Sequence, residues 1–278
     1  MNILISGTHS ILTKELSHRL PKELIDCRID YLSHSPIPPS SSNHYSALNL
    51  NSLKDNYQVV IIITAFIPPD KSIAHLPEIF KINTEFVSQL ITRYPDAFFV
   101  FCSSVSIYGK PSSLPLTENS PSLEVESYGL SKLWAENLLK TTKSAIFRIS
   151  SLYGKGMKAN TFLPRIIAQA QKSRSIDLWG DGHRKQNYIH VSDVAGMMIM
   201  SIKKNISGTF LATDISSYSN SQVAEIVKHF LPDTKINYQG EDLSPSFEYN
   251  NQATLTQLGY TITTDLPKGI KELIQNEK

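Results

Sequence analysis

The sequence predicts an α/β fold, in which a doubly wound parallel sheet is followed by a smaller C-terminal α/β lobe. Short apolar runs alternate with segments of helical periodicity through the first half of the 278 residues, and this alternation is typical of parallel strands joined by helices. Runs such as VVIIIT are apolar on both faces, as central strands are. Beyond Tyr153, four helical segments separated by short apolar pieces indicate a second lobe.

Each element is predicted from its local pattern. Helices are expected at 11–20, ending before Pro21, at 77–93 and at 124–143, and the Ser- and Pro-rich stretch 33–46 is expected to be a surface loop. Strands are predicted at 2–6, 24–32, 59–64, 97–104 and 145–150, and further helices at 161–173, 193–203, 221–230 and 266–275. We expect one domain over 1–152, to which a segment near 188–212 returns, and a second lobe over the rest of 153–278.

Charge and cysteine content argue against several classes of function. The net charge of +2 comes without a basic stripe, so we predict no nucleic-acid partner. Two cysteines predict no disulfide framework and fit a reducing cytoplasm. The N-terminus runs directly into a strand, and no apolar run approaches the roughly 20 residues that span a bilayer, so we predict neither a signal peptide nor a membrane anchor. No metal site is predicted.

Three polar residues are predicted to meet in one cleft. Ser104 ends an apolar strand, and Tyr128 and Lys132 lie four residues apart on one face of a helix. The carboxyl ends of parallel strands line the ligand crevice of such sheets. Because a nearby ammonium favours the phenolate, Lys132 is expected to lower the pKa of Tyr128, which would then exchange a proton with a carbonyl or carbinol oxygen held by Ser104.

These motifs, in this order, resemble the extended short-chain dehydrogenase/reductase superfamily, in its branch of NAD-dependent nucleotide-sugar epimerases, dehydratases and reductases. The resemblance covers nearly the whole chain. It implies a Rossmann-type sheet that binds NAD(H) or NADP(H), and a second lobe that binds a nucleotide sugar. The segments that carry it are VVIIITAF, KINTEFVSQLI, SSVSIYG, SYGLSK, FRISSLYGKG, WGDGHRKQNYIHVSDVA and LTQLGYTITTDLPKGIKELI.

The resemblance also implies roles for single residues. Tyr128 is the expected acid–base, Lys132 tunes it and binds the nicotinamide ribose, and Ser104 holds the reacting oxygen. Asp30, taken as the end of the second strand, would accept hydrogen bonds from the adenosine ribose and favour NAD, although reductases of this family often use NADPH. Asp193 is expected to cap a helix. Further expected contacts are Gly7, Ser10, Ile11, Leu12, Asn49, Leu50, Thr64, Ala65 and Asn83 for the cofactor, and Ser104, Ser151, Arg184 and Gln186 for the substrate.

The phosphate-binding turn departs from the pattern of the family. The family has G-x-x-G-x-x-G, and here Ser10 and Thr13 replace the second and third glycines after Gly7. Each replacement adds a Cβ where the helix and the pyrophosphate approach closely. Ser10 compensates as a helix N-cap beside an anion-binding helix terminus, so we expect binding that is weaker or slightly displaced.

The second lobe and the catalytic turn depart from the pattern as well. Gln186 and Asn187 stand where the family commonly has Arg-Asp, so Arg184 would have to replace that arginine. Val105 and Ser106 follow Ser104 where 4,6-dehydratases carry Asp-Glu, so we do not expect dehydration.

Three functions stay open on this reasoning. The first is a nucleotide-sugar 4-ketoreductase, in which hydride passes from a nicotinamide to a 4-keto carbon and Tyr128 gives the proton. The second is an NAD-dependent 4-epimerase, and the third is a non-catalytic, cofactor-sensing protein on the same fold. The resemblance implies a cytoplasmic homodimer, formed through helices 77–93 and 124–143, that serves polysaccharide biosynthesis.

Overall fold

The computed structural model describes residues 1–34 and 43–276, so most of the predicted loop at 33–46 lies outside the described residues. The strands are β1 (Asn2–Ser6), β2 (Arg28–Ser33), β3 (His44–Ser46), β4 (Val59–Ile62), β5 (Phe98–Ser104), β6 (Ser144–Ile149), β7 (Ser151–Tyr153), β8 (Ser175–Trp179), β9 (Lys185–His190), β10 (Gly208–Ala212), β11 (Ser217–Ser219) and β12 (Lys235–Gln239). The helices are α1 (Ile11–Glu23), α2 (Leu76–Phe80), α3 (Phe86–Arg93), α4 (Ser127–Leu139), α5 (Phe162–Ser173), α6 (Val191–Lys204), α7 (Asn220–Phe230), α8 (Gln252–Leu258) and α9 (Leu266–Asn276).

The central sheet is parallel and doubly wound, which confirms the predicted fold class. Its strand order is β3-β2-β1-β4-β5-β6-β10, and every neighbouring pair is parallel. The order reverses between β1 and β4, and ligands of such sheets bind in the crevice at the carboxyl ends of the strands at this reversal.

Alternate residues of the strands fill two apolar cores, one on each face of the sheet. Ile3, Ile5 and Ile61 belong to the core that includes residues of α1 and α6, whereas Leu4 and Val60 belong to the core that includes residues of α3 and α4. Because successive side chains of a strand point to opposite faces, both faces must be apolar when both are covered by helices. This burial explains why the strand sequences read as continuous apolar runs.

Several boundaries differ from the predictions. Helix α1 continues through Pro21 to Glu23. The proline lacks an N–H and so removes one hydrogen bond of the helix, but the Leu24 N–H still bonds the Leu20 carbonyl. The helix predicted at 77–93 contains a π-helical turn, Lys81–Glu85, between α2 and α3. The helix predicted at 124–143 is shorter, since Glu124 has a φ of +46° and α4 begins at Ser127.

The second half of the chain adds two small sheets, β11-β9-β7 and β12-β8. Of the segment expected to return to the first domain, β10 joins the central sheet and α6 packs against α1, whereas residues 188–190 belong to β9. The division into two domains stays a prediction. Every helix within 1–34 and 43–276 is too short or too polar to cross a membrane.

The segment 260–264 is anchored to α6 by Asp193, which is fully buried. Its carboxylate accepts hydrogen bonds from the Tyr260 hydroxyl, the Thr263 amide and hydroxyl, and the Thr264 amide. The N-cap of α6 is His190, whose side chain accepts from the Ser192 amide, so the prediction that Asp193 caps the helix was wrong. It anchors the segment that leads into α9 instead.

Candidate active site

Ser104, Tyr128 and Lys132 lie around the carboxyl end of β5. Ser104 is the last residue of the strand, and its Oγ accepts a hydrogen bond from the Ser106 amide at 3.1 Å. Tyr128 lies in the first turn of α4 and Lys132 one turn later. The Lys132 ammonium donates to the Cys102 carbonyl at 2.8 Å, and its Nζ lies 6.0 Å from the centroid of the Tyr128 ring.

The start of α4 is seated by Gly129, whose role was not predicted. A Cβ at this position would lie 2.6 Å from the Ser106 carbonyl oxygen, so only glycine lets the helix approach the turn that follows Ser104. Tyr128 is therefore held beside that turn by backbone packing. The sequence feature that could have predicted this close approach is a glycine in the first turn of a helix.

Burial governs the protonation of both Tyr128 and Lys132. Desolvation lowers the pKa of Lys132 to about 8, and the ammonium lies over the Phe101 ring, 4.7 Å from its centroid. Burial raises the pKa of Tyr128 above that of a free phenol. This is the reverse of the predicted direction, because desolvation of the phenol dominates and the Lys132 ammonium is directed at the Cys102 carbonyl. The protonated phenol is thus favoured at neutral pH.

The buried lysine predicts a pH dependence of stability. Its pKa is about 8 in the folded protein against an ordinary value of 10.5, so between these values the unfolded chain binds the extra proton and stability rises with pH. Relative to a Lys132→Met variant, the wild type should therefore gain stability from pH 8 to 10.5 in urea unfolding. Lys71→Met, at an exposed lysine, is the control; equal pH profiles for Lys132→Met and the wild type would contradict the prediction.

The place where such a sheet binds a dinucleotide is at the carboxyl ends of β1 and β4, where the strand order reverses, and is called the groove below. Gly7 has a φ of +93°, and a Cβ there would lie 2.8 Å from the Thr64 nitrogen, so this glycine is required. The Ser6 and Thr64 hydroxyls at the ends of the two strands are buried, and no residue within the described ranges bonds them. Buried polar atoms of this kind need partners, and the hydroxyl and phosphate groups of a dinucleotide fit the requirement.

Ser10 and Thr13, which replace two glycines of the family pattern, both make hydrogen bonds at the start of α1. Ser10 caps the helix by accepting from the Leu12 amide at 3.1 Å, as predicted. The Thr13 hydroxyl donates to the Gly7 carbonyl, so the extra side chain closes the turn instead of blocking it. The Leu12 side chain belongs to the core and its amide is already bonded, which argues against direct cofactor contact, while Ile11 lies partly buried near Gly156.

Asp30 does not end β2, so its predicted position at the end of the strand was wrong. The strand continues to Ser33, and Asp30 pairs in register with Leu4 in the middle of the sheet. Its buried carboxylate accepts from the Tyr57 hydroxyl at 2.5 Å and pairs with the Lys54 ammonium at 2.8 Å. The sequence did not mark the end of the strand, because YLS extends the apolar run before the Ser/Pro stretch.

The other predicted cofactor residues differ in burial and in their distance along the chain from Thr64. Asn83 is buried, and its side-chain oxygen accepts from the Phe66 amide. Its side-chain nitrogen donates to the Phe66 carbonyl and to the Ser131 hydroxyl, so both amide protons are used to position neighbouring residues. Ala65 lies beside Thr64 at the groove, whereas Asn49 is exposed and Leu50 half-buried at a short 3₁₀ turn beyond β3.

The predicted substrate residues lie on β7, β9 and the loop before β9. Ser151 is exposed, and the Gln186 amide donates to the Asn220 side chain at 3.3 Å. Arg184 donates to the Pro245 carbonyl at 3.4 Å and lies 3.7 Å from the Asp242 carboxylate. Within the described residues, no hydrogen bond joins these three to Ser104 or Tyr128. Pro245 also lines a cavity of about 480 Å³ between residues 110–114 and 243–246.

A buried ion pair behind the three polar residues was not predicted. Glu136, one turn beyond Lys132, is fully buried and pairs with Arg148 at 2.8 Å. It also accepts a hydrogen bond from the Ser103 hydroxyl, and Arg148 donates to the Tyr108 hydroxyl at 3.0 Å. The pair therefore joins α4, β5 and β6 directly behind Ser104. Among the described residues, no group of three or more His, Cys, Asp or Glu side chains is arranged to hold a metal ion.

Comparison with known proteins identifies the family of the chain and several similar proteins. Residues 43–211 match the NAD dependent epimerase/dehydratase family. A putative UDP-glucose 4-epimerase of Methanocaldococcus jannaschii is 26% identical over 214 residues, which are 71% of this chain and 68% of that protein. Alignments with further curated relatives, UDP-glucose 4-epimerases among them, span only 36% to 51% of the length of those proteins.

Solved structures share the fold over almost the entire chain. MoeE5 in complex with UDP-glucose and NAD has a TM-score of 0.84 at 21% identity, covering 99% of this chain and 98% of that one. UDP-glucuronic acid 4-epimerase from Bacillus cereus, in complex with UDP-glucuronic acid and NAD, has a TM-score of 0.85 at 19% identity and the same coverage. With the family match over more than half of the chain, this protein belongs to the NAD dependent epimerase/dehydratase family, within the extended short-chain dehydrogenase/reductase superfamily.

Proposed function

We propose that this protein is an oxidoreductase that transfers hydride between a nicotinamide cofactor and a carbinol or keto carbon of a nucleotide sugar. The observation that carries the proposal is the position of Ser104, Tyr128 and a buried Lys132 around the end of β5, in the same sheet as the groove at Gly7. The nicotinamide, when bound, accepts or donates the hydride. The residues of the chain hold the sugar oxygen and move its proton.

Each of the three residues has a distinct part in the chemistry. The Ser104 hydroxyl holds the reacting oxygen, and the Tyr128 hydroxyl gives a proton to a keto oxygen or takes one from a carbinol. The Lys132 ammonium, 6.0 Å from the centroid of the Tyr128 ring, offsets part of the cost of a buried phenolate after the proton leaves, while desolvation keeps the pKa of Tyr128 raised. Arg184 and the cavity at 243–246 form the proposed site for the nucleotide part of the substrate.

Net reduction of a 4-keto sugar is the direction we propose first. A phenol of ordinary pKa, about 10, carries its proton at neutral pH, and burial of Tyr128 favours this form further; it is the form that protonates a keto oxygen. Epimerisation at C4 is the second candidate, because curated relatives of this chain carry the name UDP-glucose 4-epimerase. Dehydration lacks the acid pair after Ser104, where Val105 and Ser106 stand.

One assay separates these functions. The protein is incubated with 4-keto nucleotide sugars and NADH or NADPH, with loss of nicotinamide absorbance as the readout. In parallel it is incubated with UDP-sugars and NAD, and the products are analysed by NMR. Stoichiometric oxidation of the reduced nicotinamide supports the reductase, and an inverted C4 centre without net cofactor consumption supports the epimerase. Cofactor binding without turnover of any sugar would support the non-catalytic alternative and overturn the proposal.

We further propose that two copies associate through α2 and α4. These helices pack together, and their outer faces carry Phe80, Leu130 and Trp134, which are 57%, 52% and 60% exposed. A Phe80→Lys/Trp134→Lys variant should sediment as a monomer where the wild type sediments as a dimer, because two charges would be buried in the interface. A wild type that is monomeric at all concentrations would contradict this.

A further inference from the structure

Ser103, the residue before Ser104, joins β5 to α4 by a buried hydrogen bond. Its side chain is buried, and its hydroxyl donates to the Glu136 carboxylate. Glu136 lies on the same helix as Tyr128 and Lys132, one turn beyond Lys132 and two turns beyond Tyr128. Residues with this spacing fall on one side of a helix, so the side that carries the proposed proton donor also carries the contact to β5.

A second strand holds the same carboxylate. Arg148 of β6 pairs in register with Ser103, and its guanidinium donates to both oxygens of Glu136, at 2.8 Å in the shortest of these bonds. The guanidinium also donates to the hydroxyl of Tyr108, at 3.0 Å, and Tyr108 ends the short turn that follows Ser104. The carboxylate is thus fixed from two neighbouring strands and from the turn beside the candidate active site.

A buried ion pair of this kind adds little to stability as such. Moving a carboxylate and a guanidinium out of water costs free energy that their attraction repays only in part, and apolar residues of similar volume often serve a fold as well. What the pair supplies and apolar packing does not is direction, because hydrogen bonds hold their atoms within narrow limits of distance and angle. At Glu136 this direction is passed to β5 by the Ser103 hydroxyl.

The anchoring of Ser103 bears on the direction of Ser104. Ser104 has extended backbone angles, with φ −143° and ψ 147°, and successive side chains of an extended strand point in opposite directions. A Ser103 side chain held toward α4 therefore sets the direction in which the Ser104 hydroxyl leaves the strand. That hydroxyl accepts from the Ser106 amide at 3.1 Å, and α4 packs against the Ser106 carbonyl through Gly129.

We propose that Ser103 is a positioning residue, which sets the hydroxyls of Ser104 and Tyr128 relative to one another by tying the end of β5 to Glu136. It lies buried beneath the candidate active site and acts through its neighbours. The inference deepens the proposed function and rests on it for the chemistry, because both hydroxyls must reach one sugar oxygen. Misplacement of reacting groups by about 1 Å can reduce a rate by about 10²-fold.

The test compares two buried serines that both bond to α4. Ser144, at the start of β6, donates through its hydroxyl to the Leu139 carbonyl at 2.8 Å, at the end of the helix remote from Tyr128. Ser103→Ala should lower the single-turnover rate at saturating sugar and cofactor by about tenfold or more and leave the dissociation constant of NADH unchanged. Ser144→Ala should leave both unchanged. Ser103→Thr, which keeps a hydroxyl on the same carbon, should recover most of the rate.

A second readout needs no turnover. The Ser106 amide bonds the Ser104 hydroxyl, so its exchange with water, measured by NMR, should be about fivefold faster in Ser103→Ala if that hydroxyl loses its direction. In Ser144→Ala the exchange should stay at the wild-type rate.

Two results would overturn the inference where the wild type converts a sugar. One is a folded Ser103→Ala protein with the wild-type rate, and the other is an equal loss of rate in the two alanine variants. If the wild type converts no sugar, the proposed function fails, and amide exchange alone decides the inference. Exchange of the Ser106 amide at the wild-type rate in Ser103→Ala would then overturn it.

Discussion

Replacement of Tyr128 by phenylalanine is expected to reduce the rate of hydride transfer by about 10²–10⁴-fold, the range typical of losing a general acid–base. The ring stays in place, so the packing of α4 beside Ser106 through Gly129 is retained. Only the hydroxyl that moves the proton is lost. The measurement is the single-turnover rate on whichever keto or carbinol sugar the wild type converts, with saturating cofactor.

A matched loss of a phenol elsewhere separates chemistry from folding. Tyr94 is a core residue that lies shortly before β5, at the end of the strand opposite to Ser104. Its hydroxyl donates to the Lys54 carbonyl. Tyr94→Phe should lower stability somewhat and leave the rate unchanged. A Tyr128→Phe protein that binds cofactor and reacts at the wild-type rate would show that another group carries the proton.

Loss of the Glu136 carboxylate is expected to lower the free energy of unfolding by about 3–5 kcal/mol, the usual cost of leaving one member of a buried ion pair alone. In a Glu136→Leu variant the Arg148 guanidinium stays buried, and the Ser103 hydroxyl loses its acceptor. Chemical denaturation followed by circular dichroism measures the effect.

Two comparison variants make this prediction specific. Glu126→Gln removes an ion pair with Lys71 in which both side chains are largely exposed, and it should change stability by no more than about 1 kcal/mol. The double variant Glu136→Leu/Arg148→Met replaces both charges with apolar groups and should recover part of the loss. A Glu136→Leu protein as stable as the wild type would contradict the assigned role of the pair.

The fold followed from local patterns because the central strands are buried on both faces. VVIIIT and AFFVFCSS indicate such strands by their composition alone, and the helices with strong periodicity lie where they were expected. The end of β2 was missed because apolar continuity extends past Asp30, and composition does not mark which residue is the last to pair. The π-helical turn Lys81–Glu85 was missed because composition and spacing predict a helix there but do not show which carbonyl each amide bonds.

The candidate site was predictable only where short spacing fixes geometry. Tyr128 and Lys132 share a helix face by their separation, and Ser104 follows from its place at a strand end. The partners Glu136 and Arg148 come from different elements, and only the folded chain brings them together. The pKa of Tyr128 was predicted in the wrong direction, because the sequence shows the presence of Lys132 but neither the desolvation of the phenol, which raises its pKa, nor where the ammonium points.

Asn83 links the two halves of the site through a single side chain. Its amide holds Phe66, which follows the groove residues Thr64 and Ala65, and also Ser131, which neighbours Lys132 on α4. One side chain therefore joins the segment that follows β4 to the helix that bears Tyr128 and Lys132. Substitutions at this position should weaken cofactor binding and turnover together, although both amide protons of Asn83 are already donated, to Phe66 and Ser131.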